Sequence, residues 1–160
     1  MDFKVGDQVT HWSFGPGKII QLDEKEIAGR KGTYYIVKTN DLTIWVPVKE
    51  NGETSLRFLT PQSEFLGLFE ILTGAGEELP EDRLLRKTQL VERLRDGRLD
   101  SVCRVLRDLN QLSRKKKLNE YDNAIQERAK KFLLDEWKIA LSIPPQQAEH
   151  ELQSLLKAQA

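Results

Sequence analysis

The chain has 160 residues, a length that fits one domain or two small ones and excludes a large multidomain enzyme. Apolar residues make up 39% of it and charged residues 31%, the composition of an ordinary globular protein with long charged helices. No window reaches the roughly 18 uncharged apolar residues of a membrane-spanning helix, and the N-terminus begins no signal-peptide run. We therefore expect a cytoplasmic protein without membrane contact.

Residues that commonly carry catalysis or bind metals are scarce. Cys103 is the single cysteine and cannot form an internal disulfide, and two histidines, His11 and His150, are too few for a plausible Cys/His zinc cluster. The loop at residues 14–17 lacks the lysine and Ser/Thr of a phosphate-binding loop, and no serine lies in a Gly-x-Ser-x-Gly elbow. We expect a protein that is not an enzyme and has no metal, cofactor or small-molecule substrate.

The net charge of zero hides a segmental pattern. Residues 61–82 carry six acidic side chains and no basic one, whereas residues 83–117 carry twelve basic and four acidic side chains. A local basic excess of this kind can face the phosphates of a nucleic acid, because each neutralised phosphate releases counterions. It is also typical of a solvated helical surface, and charge alone leaves both interpretations open.

The first 59 residues have the pattern of short strands separated by turns. The predicted strands are residues 8–11, 18–22, 34–38, 43–48 and 55–59. Phe14-Gly15-Pro16-Gly17 and Asn40-Asp41 are turn sequences, and Asn51-Gly52 is a hairpin signal. Five short strands in this length predict a small antiparallel β-barrel of SH3 or Tudor type.

From residue 60 onward the apolar period changes from two to 3.6, which is typical of helices. The predicted starts are Thr60-Pro61, Pro80, Asp100, Asn119 and Pro144-Pro145. The second helix is expected to end at Gly97 and the fourth near Leu141. The inward stripe of the second helix is predicted to be Leu84, Leu85, Thr88, Val91 and Leu94. The predicted fold class is therefore α+β, with the barrel at residues 1–59 followed by an all-α helical bundle at residues 60–160.

The fourth strand has features of a docking edge. Alternation places Ile44, Val46 and Val48 on one face and Thr43, Trp45 and Pro47 on the other. Proline cannot donate to a strand ladder, so the strand is expected at a sheet edge, where a partner strand can add while an outward indole supplies contact area. The alternative is that Trp45 anchors the barrel against the helical half. Trp12 and Phe14 are expected in core or interdomain packing.

Arginines cluster on the second and third helices. Arg104, Arg107, Gln111 and Arg114 fall within about 80° of one another on the third helix, opposite its apolar stripe. On the second helix Arg86 and Arg93 share a face, but Leu90 lies between them. These faces predict either phosphate contacts or solvated charge.

Several motifs, taken in order, resemble one family. They are Phe3-Lys4-Val5-Gly6-Asp7-Gln8-Val9, Gly15-x-Gly17-x-Ile19, Ile27-Ala28-Gly29, Tyr34-Tyr35-Ile36-Val37, Leu42 to Val48, Glu92-Arg93-Leu94-x-x-Gly97 and Val102-x-x-Val105-Leu106-Arg107-Asp108-Leu109. The set is similar to the CarD family of bacterial transcription regulators. The barrel half also resembles the RNA-polymerase-interacting module of the transcription-repair coupling factor. The resemblance covers about residues 3–140.

The resemblance implies partners and site residues. The barrel edge would bind the β subunit of RNA polymerase, and the helical half would contact promoter DNA through its backbone. The implied polymerase-binding residues are Lys25, Thr43, Trp45, Val46 and Pro47. The implied DNA-binding residues are Arg83, Arg86, Lys87, Arg93, Arg104, Arg107 and Arg114.

Two positions depart from the family pattern. Trp45 replaces a basic residue of the fourth strand, which would turn an ion pair with the polymerase into an aromatic contact, whereas Lys25 is retained near another basic position. The family's DNA-wedging tryptophan, near the start of the second helix, corresponds to Arg83 here.

The sequence thus predicts a cytoplasmic, nucleoid-associated regulator that binds polymerase and promoter DNA without base-specific readout and changes the stability of the open complex. The alternative is an adaptor that binds polymerase or another partner through the barrel and makes no direct DNA contact.

Overall fold

A computed structural model describes residues 3–160, with no description of the side chain of Ile27. The chain divides into two compact units, residues 1–59 and residues 60–160. The first contains five antiparallel strands and the second contains five α-helices, so the predicted α+β class is confirmed. In the described part of the chain no helix is both long and apolar enough to cross a bilayer.

The first unit is a single five-stranded sheet that closes only partly into a barrel. Its strands are β1 (Gln8–His11), β2 (Gly15–Ile27), β3 (Arg30–Lys38), β4 (Thr43–Val48) and β5 (Leu56–Phe58). The order across the sheet is β4-β3-β2-β1-β5. An isolated bridge between Val48 and Thr54 supplements these ladders.

The long β2–β3 hairpin is tighter than the sequence predicted. Ile27 pairs with Arg30 across the two-residue loop Ala28-Gly29. Both loop residues have positive φ, 53° at Ala28 and 78° at Gly29, as a type I′ turn requires. The match of that turn to strand twist lets β2 and β3 extend well beyond the predicted residues 18–22 and 34–38.

One turn prediction in this unit is wrong, and another is correct only for the turn itself. Gly15, Pro16 and Gly17 belong to β2, because the β1–β2 turn is made by residues 12–14 and His11 pairs with Gly15. Asn51-Gly52 does form a tight turn, closed by the bridge between Val48 and Thr54, but β5 beyond it pairs with β1 instead of β4.

The core of the first unit collects one face of each strand. Its buried residues are Phe3, Val9, Ile19, Tyr35, Val37, Val46 and Leu56. Ile44 and Val48 pack against this cluster, which confirms the predicted inner face of β4. Trp12 and Phe14 do not belong to it: both are exposed and both rings lie beside His11.

The second unit is a helical bundle. A short 3-10 helix at Gln62–Glu64 leads into α1 (Phe65–Thr73), followed by α2 (Arg83–Arg93), α3 (Leu99–Lys115), α4 (Glu120–Ala140) and α5 (Pro145–Lys157). Trp137, Phe65, Leu72 and Leu106 are among the largest buried side chains of the main core. A second cluster contains Leu90, Val105, Leu109, Leu118 and Ile125.

Helix starts depend on caps, and three predicted starts are shifted. Thr60-Pro61 precedes a 3-10 helix whose N-cap is Pro61, and α1 begins only at Phe65. Asn119 forms the expected cap of α4 as a capping box with Asp122. The N-cap of α2 is Asp82, whose carboxylate accepts from Leu85 N–H, so Pro80 lies before the helix. The N-cap of α3 is Arg98, which places Asp100 inside the first turn.

The predicted inward stripe of α2 is wrong. Leu84, Leu85 and Val91 are exposed, whereas Arg86 and Leu90 are buried. Leu94 does pack against the core. The helix therefore points a different face inward, and an arginine takes the place of a leucine.

Candidate functional site

β4 is the terminal strand of the sheet, as Pro47 predicted. Its one ladder joins it to β3, with Pro47 opposite Tyr34 and Trp45 opposite Ile36. Thr43, Trp45 and Pro47 are exposed. The strand thus offers backbone groups along its free side and an apolar outer face beside them.

Trp45 is held in place by two neighbours on its own sheet. Lys25 Nζ lies 3.7 Å from the centroid of the indole ring. Tyr34 contacts the same indole edge-on, with ring centroids 6.2 Å apart and planes 67° apart. Trp45 nevertheless remains 39% exposed. A fixed, exposed aromatic loses little conformational entropy when a partner covers it.

The structure brings together Lys25 and Trp45, which the sequence grouped, and adds Tyr34. Tyr34 lies diagonally across the ladder from Trp45 and was missed because its position depends on the β3–β4 register. Val46 is the exception among the predicted residues. Its side chain is buried in the barrel core, so it can offer a partner only backbone groups.

Arg86 is not available as a surface cation. Its guanidinium makes two bonds to Asp122, Nε to Oδ1 at 2.8 Å and Nη2 to Oδ2 at 2.9 Å. Nη1 donates to the carbonyl of Pro80 at 3.0 Å. Both charged side chains are 2% exposed. The predicted DNA contact of Arg86 is therefore corrected: this arginine ties α2 to the first turn of α4.

Arg93 and Arg107 share another buried carboxylate. Asp108 accepts from Arg93 Nη2 at 2.8 Å and from Arg107 Nε at 2.9 Å. It also accepts from Glu77 N–H at 2.9 Å, which fixes the acidic loop before α2. The Arg107 side chain is 13% exposed. These contacts engage both arginines within the bundle.

The remaining two arginines of α3 also have partners. Arg104 Nη1 lies 3.4 Å from Asp100, and Arg98 lies 3.2 Å from the same carboxylate. Burial raises the pKa of Asp100, but hydrogen bonding from Arg98 and the charges of Arg98 and Arg104 outweigh it, so that the pKa is lowered overall. Arg114 Nη2 donates to the carbonyls of Leu156 and Gln159, each at 3.2 Å. The arginines of the predicted basic face of α3 therefore already have partners within the bundle.

Arg83 and Lys87 are left at the outer surface of α2. The Arg83 side chain is exposed and forms no ion pair or hydrogen bond within the described part of the chain. Lys87 Nζ lies 4.3 Å above the ring of Tyr121, an exposed residue of α4. This pairing could not be predicted from sequence, because 34 positions separate the two residues and only the tertiary fold joins them.

The side chains that most often act in catalysis or metal binding are not arranged for it in this structure. Burial raises the pKa of the Cys103 thiol to about 12, and the residue is fully buried. Burial also lowers the pKa of His11, whose Nδ1 accepts from the N–H groups of Ser13 and Phe14. Among the described residues, no three His, Cys, Asp or Glu side chains are grouped so that they could hold a metal ion.

Each of the two units of the chain matches a known protein family. Residues 67–153 match the family described as "CarD, C-terminal domain". The chain belongs to the CarD family. Residues 3–58 match the "CarD-like/TRCF RID domain", so this CarD-family chain is a transcription-associated factor that interacts with RNA polymerase. A relative in Bacillus subtilis (strain 168), named "Putative transcription factor YdeB", is 25% identical over 151 residues, which cover 91% of this chain and 96% of the relative.

Both matches place this CarD-family chain among transcription factors rather than enzymes. The match at residues 3–58 covers almost the whole β-sheet unit, including β4 and its outer face. The match at residues 67–153 covers α2, α3 and α4, where the arginines lie.

Proposed function

We propose that this chain regulates bacterial transcription by docking the outer face and free edge of β4 on the β subunit of RNA polymerase. The observation that carries the proposal is the exposed Trp45, held by Lys25 and Tyr34 on an edge strand. The helical unit contacts promoter DNA through phosphates, without base-specific readout, and the result is a changed lifetime of the open promoter complex.

Chemistry supports each half of this proposal. An edge strand can extend its ladder with a strand of a partner, and an aromatic side chain beside that edge supplies buried area. The indole also attracts a partner cation or an apolar side chain, whereas Lys25 suits an acidic one. On the helical unit, Arg83 and Lys87 are the predicted DNA-binding residues without an ion pair or hydrogen bond among the described residues, whereas the exposed Arg104 and Arg114 have internal partners.

The binding of polymerase is tested by replacing Trp45. An indole at the centre of an interface is worth about 2 kcal/mol or more, so Trp45→Ala should weaken binding to the β subunit at least about tenfold. Phe14→Ala is the matched control, because Phe14 is an exposed aromatic of the same unit that lies outside β4. Equal loss in both variants, or normal binding by Trp45→Ala, would exclude the β4 edge as the docking site.

One observation favours the adaptor as a second candidate function. Arg86, Arg93 and Arg107 are engaged by buried carboxylates, which removes much of the basic excess that suggested DNA. In that case the helices serve as a scaffold and polymerase binding proceeds without any promoter contact. Promoter shift assays with and without polymerase separate the two functions.

A further inference from the structure

Tyr121 is an unusual surface residue of the helical unit. Among the described residues of that unit it is the one exposed Phe, Tyr or Trp, at 44% exposure. It lies in the first turn of α4, and Lys87 Nζ of α2 is 4.3 Å from its ring centroid. The remaining aromatic surface faces solvent.

A buried ion pair fixes this surface pair from beneath. Arg86 precedes Lys87 on α2, and Asp122 follows Tyr121 on α4. The two bonds between Arg86 and Asp122 therefore hold the first turns of the helices together beside the exposed pair. Asp122 is further fixed by the capping box with Asn119. The aromatic ring is consequently presented on a rigid base.

The surroundings favour an anionic ligand. Arg83 lies one turn before Lys87 on α2 and is exposed, and Lys116 and Lys117 are exposed just before α4. Three exposed acids, Glu81, Asp82 and Glu120, lie at the same helix starts. The Asp82 carboxylate accepts from the Leu85 N–H as the α2 cap. Four cations against three carboxylates leave a small net positive charge at these helix starts, and the cation nearest the ring is Lys87.

We propose that Tyr121 is a stacking platform for an unpaired nucleobase of promoter DNA, with Lys87 and Arg83 contacting the adjacent phosphates. This inference rests on the proposed DNA contact of the helical unit and adds a residue and a mode of binding to it. Proteins that bind single strands combine cations along the backbone with aromatic rings on which bases stack. A tyrosine also offers this surface at a low entropic cost, because it has few rotatable bonds.

The first test measures binding of the full chain to labelled oligothymidylate by fluorescence anisotropy. Stacking on one aromatic ring makes Tyr121→Ala bind about fivefold to a hundredfold more weakly, whereas Tyr121→Phe keeps its affinity. Leu66→Ala is the control for an exposed apolar side chain on α1 of the same unit. Melting curves of all variants verify that the bundle remains folded.

The second test locates the base in the complex with polymerase and promoter. Promoter DNA that carries 5-iodouracil in its unpaired segment should crosslink to Tyr121 on irradiation, and the crosslink should vanish in Tyr121→Ala. Crosslinking at another residue, or unchanged oligothymidylate affinity in Tyr121→Ala, overturns the stacking role while the proposed function stands. If Tyr121→Ala fails to bind polymerase in the absence of DNA, Tyr121 contacts the polymerase and not a base. If the wild-type chain contacts no DNA in either assay, the proposed DNA function fails as well.

Discussion

Removal of Arg86 should destabilise the helical unit far more than removal of any surface arginine. Its guanidinium satisfies both oxygens of Asp122 and also the carbonyls of Pro80 and Glu81. Arg86→Met leaves the buried Asp122 carboxylate without its cation, and breaking a buried pair in this way costs about 3–5 kcal/mol. Since about 1 kcal/mol shifts the melting temperature of a 60–100-residue domain by roughly 4–8 °C, the expected loss exceeds about 12 °C.

The assay is urea unfolding followed by tryptophan emission in a Trp12→Phe, Trp45→Phe background, which leaves the fully buried Trp137 of the helical unit as the single emitter. Asp122→Asn should show a comparable loss, and the double variant should lose less than the sum of the two, since neither charge is then left alone. Arg95→Met is the control: its pair with Glu92 is 68% exposed on both sides and is worth about 1 kcal/mol or less. If Arg86→Met costs no more than Arg95→Met, or the two buried substitutions add, the pair does not hold α2 on α4.

Three further predictions concern single sites. A Cβ at Gly17 would lie 2.7 Å from Val37 Cγ1 and 2.8 Å from the Lys38 carbonyl oxygen, so Gly17→Ala should cost about 1–3 kcal/mol in chemical denaturation, whereas Gly67→Ala on the open side of α1 should be neutral or stabilising. His11 has a lowered pKa in the folded state, so below about pH 6.5 the unfolded chain binds more protons, and stability should decrease as the pH is lowered. A His11→Asn variant should lose this pH dependence in melting curves. If the variant keeps the same pH dependence, another group causes it. The buried Cys103 thiol should react with Ellman's reagent only at the rate of unfolding, and rapid reaction of the native protein would contradict its burial.

Local signals in the sequence were sufficient for most of the fold. The alternation of Ile44, Val46 and Val48 identified the inner face of β4, and Pro47 identified the edge, because both depend only on neighbouring residues. The Asn119 cap could be predicted for the same reason, since its partner Asp122 is three residues away. The β2–β3 hairpin was longer than predicted because strand ends depend on cross-strand pairing, which no single segment reveals.

The inward face of α2 could not be predicted from its own residues. Hydrophobic periodicity favoured Leu84 and Val91, but burial of Arg86 depends on Asp122, which lies 36 positions further along the chain. Arg93 likewise turns toward Asp108 on α3. Leu90, which interrupted the expected basic face, lies between these two arginines and is fully buried, as is Arg86, whereas Arg93 is half-buried. Two long-range ion pairs therefore decide the rotation of this helix against its apolar pattern.

The internal pairing of these arginines determines how strongly the affinity for promoter DNA should depend on salt concentration. If all seven predicted arginines and lysines contacted phosphates, log K would fall with log salt with a slope of about −6, at roughly 0.9 for each phosphate contact. Arg83 and Lys87, with the exposed lysines before α4, support a slope of only about −2 to −4. Arg83→Ala should flatten it by about one, and Arg104→Ala should leave it nearly unchanged because Asp100 already pairs with that side chain. Titrations of promoter binding at several salt concentrations measure the slope for the wild-type chain and for each variant. A slope near −6 would mean that the internal pairs open on DNA, whereas a slope of zero would leave the adaptor as the function of the helical unit.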